Sequence, residues 1–161
     1  MRNMSTNWKR ITAHLTIALL TAMWSYAVLS KLIDYETAKR AMHNQIFAPG
    51  LSDVLTWLIP LIELLIIGLL LFKPTQRLGL KLSAGLLTLF IFYIAIVMNA
   101  AFGRVPCSCG GIISELSYGE HLVFNVVFLL LALASLWLTH RSERKTVPML
   151  NERRSTARKI E

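Results

Sequence analysis

The chain has 161 residues, 55% of them hydrophobic and 16% charged, with a mean hydropathy of +0.54. That is too apolar for an ordinary soluble domain and makes a membrane protein the first expectation. The formal net charge of +8 does not imply nucleic acid, because the cations lie between long apolar runs and in a tail, where juxtamembrane Lys and Arg belong.

Four segments approach the roughly 20 apolar residues that a bilayer requires, and inside lipid they must be helical. The first is Ile11–Leu29. Basic residues before it and Ser25-Tyr26-Ala27 near its end faintly resemble a cleavable signal, but the stretch is long for one and no clear mature start follows. Lys31 comes next and is expected to snorkel to the interface, with Asp34 one turn on as its candidate partner. The second span, Val54–Phe72, holds Glu63, the only acidic residue deep in any span. An isolated charge there is disfavoured. The residue is therefore read either as an interhelical hydrogen-bonding group, with Thr21, Ser25 or Tyr93 as partner, or as a proton carrier. Pro60, one turn earlier, removes a backbone donor and can kink the helix.

The third span, Leu82–Phe102, carries Asn99 near its end. Then comes VPCSCGG at residues 105–111, with both cysteines of the chain, Cys107 and Cys109. The fourth span runs from about Tyr118 to Leu138 and opens on Ser117-Tyr118-Gly119-Glu120, the pattern of a capping box. His121 and Asn125 follow at a spacing of four and share one helix face. Trp8, Trp24, Trp57 and Trp137 lie at or close to span ends, as aromatic-belt residues do. The tail from His140 is rich in Arg, Lys, Ser and Glu and is expected to be disordered or to rest on the membrane surface.

Charge sets the expected orientation. Thirteen Lys and Arg precede span one, separate spans two and three, or follow span four; the remaining two connections carry four. The positive-inside rule then puts both termini in the cytoplasm and the cysteine loop outside, which in a bacterium means the periplasmic face of the inner membrane. The expected architecture is all-α, an integral membrane four-helix bundle. It has a short cytoplasmic N-terminus over 1–10, a membrane domain over 11–139 and a basic tail over 140–161.

Two cysteines one residue apart can bridge only across a sharp turn. Pro106, Gly110 and Gly111 suit such a turn. A ring this small contributes little as a staple, and strained or exposed disulfides tend to be oxidising and labile. Reversible thiol–disulfide chemistry is the favoured use. Unreactive thiols are one alternative. A soft-metal site drawing on His121 and Met98 is another, although no second ligand pair completes it. His121 would act by stabilising the reactive thiolate, while Lys31, Glu63, Asn99 and Asn125 are expected to support the bundle towards the cysteine side.

Ser30-Lys31-Leu32-Ile33-Asp34, Pro60-Leu61-Ile62-Glu63 with Gly68, C-S-C-G-G and His121-Leu122-Val123-Phe124-Asn125, in this order across four spans, resemble the MauE branch of the MauE/DoxX-like membrane proteins. The resemblance covers about residues 10–138. It implies a four-helix inner-membrane protein associated with redox processes. In the namesake that process is maturation of the disulfide-rich small subunit of methylamine dehydrogenase, beside a thioredoxin-like partner. Gly110 stands where such sequences often carry an aromatic residue.

The expected function is therefore a membrane thiol–disulfide component acting on a thioredoxin-like extracytoplasmic protein or a disulfide-containing client, embedded in membrane lipid and without a nucleic-acid partner. A noncatalytic scaffold for such a partner is the alternative. With one cysteine pair the chain cannot relay electrons across the membrane by thiols alone. A quinone would complete the path, but no residue pattern identifies a cofactor site.

Overall fold

The computed structural model describes residues 2–45, 47–99 and 118–157. The described chain forms five helices: α1 Arg2–Ile33, α2 Tyr35–His43, α3 Pro49–Leu71, α4 Gln76–Met98 and α5 Tyr118–Ala157. Four contain stretches long and apolar enough to cross a membrane, at Ile11–Ile33, Pro49–Leu71, Gln76–Met98 and Gly119–Leu138. The all-α, four-span architecture expected from hydropathy is thus present, with α2 added between the first two spans.

Packing follows from which residues each span turns inward. Leu20 and Trp24 of α1, Ile66 and Leu70 of α3, Leu80, Ala84 and Leu87 of α4, and Ala132 of α5 form one buried cluster. The opposite faces are apolar and exposed, for example Leu15, Leu61, Leu65, Leu89, Phe92 and Leu130. A bundle that is apolar on the outside is what lipid requires. Three threonine hydroxyls within the spans bond back to their own helix: Thr21 donates to the Ile17 carbonyl, Thr56 to Ser52 and Thr88 to Ala84. They therefore leave no unpaired donor in an apolar medium.

Three local expectations need correction. Trp24 is not a belt residue: it is 2% exposed, and its indole N–H donates to Ser83 Oγ across the core at 3.0 Å. Trp8, Trp57 and Trp137 are exposed. The basic tail is helical as far as Ala157, continuous with α5; its Arg, Lys, Glu, Leu and Ala residues are good helix formers, a property that low hydropathy conceals. Finally, the connection after span one contains α2. Asp34 caps it by accepting the Thr37 N–H at 3.1 Å, and so serves α2 rather than Lys31. The helix passes through Ser25–Ala27 without a break.

Helix α2 fixes the relative heights of α1 and α3. Tyr35 packs on Trp57 with ring centroids 5.2 Å apart, and His43 Nε2 is hydrogen-bonded to Asp53 Oδ1 at 2.8 Å. Both partners lie in the first turns of α3, so α2 flanks the part of α3 that extends past the end of α1. At the far end, α3 and α4 join through a short turn at residues 72–75.

Candidate functional site

The end of α1, the first half of α3, the last turns of α4, the start of α5 and the inner face of α2 surround a cavity of about 130 Å³. It exists because Ala27, Ala38 and Ala41 present small side chains where larger ones would fill the space, while Trp24 and Phe90 bound it. Its walls are mostly apolar, with polar groups at defined points.

The strongest of these is an ion pair. Lys31 Nζ donates to both carboxylate oxygens of Glu63, at 2.7 and 3.0 Å, and to the Ala27 carbonyl at 3.2 Å. Glu63 is 1% exposed and the Lys31 side chain 19%. All three ammonium protons are thus engaged, and the charge of Glu63 is matched in place. The ion pair replaces both sequence expectations for these residues. The Glu63 carboxylate takes Lys31 instead of Thr21, Ser25 or Tyr93, and Lys31 turns into the bundle instead of out to the interface. Pro60 also faces the cavity, and α3 runs through it as one helix.

On the opposite wall, His121 and Asn125 line the cavity from α5, as their spacing predicts. The Asn125 amide donates to the His121 carbonyl at 2.8 Å, and Asn125 is buried. His121 Nδ1 is buried and has no hydrogen-bond partner among the described residues. Asn99 is different: it ends α4, and its amide donates to the Ala95 carbonyl at 2.7 Å. It is a helix-end group and does not line the cavity. Glu120 sits in the first turn of α5, where a carboxylate suits the helix N-terminus.

Two contacts missed from sequence hold the α2–α3 connection against this site. The Tyr93 hydroxyl donates to Gln45 Oε1, and Phe47 stacks on Tyr93 with centroids 5.6 Å apart. Gln45 and Tyr93 are 48 positions apart, and nothing in a single sequence pairs them. The signal that could have found α2 is Asp34, which precedes Thr37 at N-cap spacing.

Cys107, Cys109, Ser117, Gly110 and Gly111 lie outside the described residues. The chain leaves α4 after Asn99 and enters α5 at Tyr118, and these two helix ends are the ends nearest the cavity. Among the described residues no three His, Cys, Asp or Glu side chains gather as a metal site.

No curated protein and no solved structure matches the chain. The family model described as "Methylamine utilisation protein MauE" matches residues 9–138, which includes all four spans, the ion pair and both cysteines. A match over most of the length settles the classification: the chain belongs to the MauE family of membrane proteins.

Proposed function

We propose that this chain is a membrane thiol–disulfide component that assists extracytoplasmic disulfide formation or protein maturation. In this reading it lies in a bacterial inner membrane with both termini in the cytoplasm. One observation carries the proposal: the chain's only two cysteines fall, within the family's matched region, between the helix ends that border the cavity. The family description names methylamine utilisation and no chemistry, and thiol exchange itself does not select a client.

Exchange proceeds through a mixed disulfide and is reversible. When the chain oxidises a partner, a thiolate of the partner attacks the Cys107–Cys109 disulfide, and the partner's second thiolate displaces the chain to leave a disulfide on the partner and two thiols here. In the other direction one cysteine of the pair attacks a partner disulfide and its neighbour resolves the adduct. A thioredoxin-like protein or a disulfide-bearing client fits either direction. His121 would favour the thiolate, the reactive form.

The test is a redox titration of the full chain in lipid, with Cys107 and Cys109 trapped by an alkylating reagent across a glutathione series. A reversible two-electron transition between dithiol and intramolecular disulfide is expected above about −300 mV, the level below which structural disulfides resist reduction by glutathione. Thiols that never pair would eliminate exchange and leave the scaffold role. The same applies to a pair that stays oxidised at every potential.

A further inference from the structure

Among the described residues, the polar groups that line the cavity have partners with a single exception. Lys31 is saturated by Glu63 and Ala27, the Tyr93 hydroxyl is used by Gln45, and the Asn125 amide by the His121 carbonyl. His121 Nδ1 is buried and open among the described residues. An unmatched polar atom in an apolar wall is costly, and its natural complement is a ligand atom.

We infer that this cavity is a binding site for the ring of a membrane quinone, with a quinone carbonyl oxygen accepting a hydrogen bond from His121 in its Nδ1–H tautomer. Four observations converge on that class. The cavity lies among spanning helices, so its ligand partitions into lipid. Its volume of about 130 Å³ is that of a site for one aromatic ring, since an apolar cavity of about 150 Å³ takes benzene. Trp24, Phe90 and Phe124 supply aromatic surface for a flat ring. Finally, an ion pair that is already satisfied offers no counter-charge, so a neutral ligand is favoured over an anion.

The electron balance agrees, and here the inference rests on the exchange reading above. A chain that oxidises partners ends each cycle as a dithiol, and it has only two cysteines. A quinone closes the cycle: two thiol S–H bonds are lost, one S–S bond forms, and the two electrons and two protons convert both carbonyl oxygens of the ring to hydroxyls. His121 is a hydrogen-bond donor to the ring in this scheme and orients it.

The experiment uses full-length protein in lipid nanodiscs, with short-chain ubiquinone and menaquinone analogues as probes. Binding is read by quenching of tryptophan fluorescence, to which the cavity residue Trp24 contributes. Titrations are done on the Cys107→Ser/Cys109→Ser background so that the probe is not consumed. Saturable quenching is expected. His121→Ala should weaken it about tenfold, the equivalent of one good hydrogen bond, and Ala38→Phe, which fills the cavity, should remove it. Thermal unfolding of each variant checks that the bundle persists. Quenching that never saturates, or that is the same in Ala38→Phe, reflects partition into lipid and overturns the site. Loss of one quinone per thiol pair in reduced wild-type protein tests the linked redox step separately. Binding that responds to both variants while the thiols never pair retains the site and removes the exchange function; exchange without saturable binding does the reverse.

Discussion

The two ends of the bundle solve the problem of polar atoms in opposite ways. At the α3–α4 turn, the side chains of Thr75 and Gln76 bond to the chain reversal itself. Thr75 Oγ1 donates to the Leu69 and Phe72 carbonyls, Gln76 Nε2 donates to the Leu70 carbonyl, and Leu70 and Leu80 are fully buried beside them. At the α2 end the helices stand apart, the intervening space is apolar, and charge is neutralised across it by side chains 32 positions apart. In the first arrangement the two helices pack closely, with Gly79 against Leu69 and Leu70; the second encloses a cavity and a polar atom unmatched among the described residues. The two ends are thus held by different kinds of interaction, and perturbing each end should give different signatures.

The largest effect is expected at the ion pair. Lys31→Met leaves the Glu63 carboxylate 1% exposed without a cation, and Glu63→Leu strands the ammonium. Each should cost about 3–5 kcal/mol, because breaking a buried pair leaves an uncompensated charge, whereas replacing both partners with apolar groups is often near neutral. The Lys31→Met/Glu63→Leu double variant should therefore regain most of the loss in unfolding measured in detergent. Additive single losses would mean that the two residues are not coupled in the folded protein.

The opposite end should fail sterically. A Cβ added at Gly79 would meet the backbone N of Leu70 at 3.0 Å and the backbone C of Leu69 at 3.1 Å. Backbone cannot move aside as a side-chain tip can, so Gly79→Ala should destabilise by about 1–3 kcal/mol. Gly85 lies on the same helix with nothing within 4 Å of such an atom. Gly85→Ala should be neutral or stabilise by up to about 1 kcal/mol, from helix propensity alone. Equal responses at the two glycines in thermal unfolding would show that α3 and α4 do not approach closely at their turn.

The four spans and the one acidic residue deep inside them were legible because length and hydropathy report what lipid demands. So was the grouping of Lys31, His121 and Asn125 towards one end, since α-helical spacing and span order suffice to place them. The Lys31–Glu63 contact was not. It depends on how far α1 stops short of α3, and that offset is set by α2, a short polar helix that hydropathy reads as a loop. Trp24 was misplaced for a related reason: its distance from the end of the span says nothing about which face it occupies, and α1 turns that face towards Ser83 of α4. The readings for Cys107 and Cys109 concern residues outside those described.

The smallest predicted effect sharpens the comparison at α2, the element that makes the ends unequal. The Thr37 hydroxyl, together with the Thr37 backbone N–H, holds the Asp34 carboxyl below its ordinary value. A depressed folded-state value means that the cap's contribution is fully present above the unfolded value of about 3.9 and is lost as pH falls through the folded one. Amide protection across Tyr35–His43 should therefore decline only in acid below about pH 4, with α1 and α3 unaffected. Asn is also a good N-cap but does not titrate here, so Asp34→Asn should keep the protection and lose its acid dependence. If acid exposes α2 equally in Asp34→Asn, the cap at Asp34 is not what holds the helix start. Ala38 and Ala41 on α2 form part of the cavity wall. Fraying that begins at Asp34 would therefore open the cavity from the side, and quinone affinity in the acid range should fall in parallel with α2 protection.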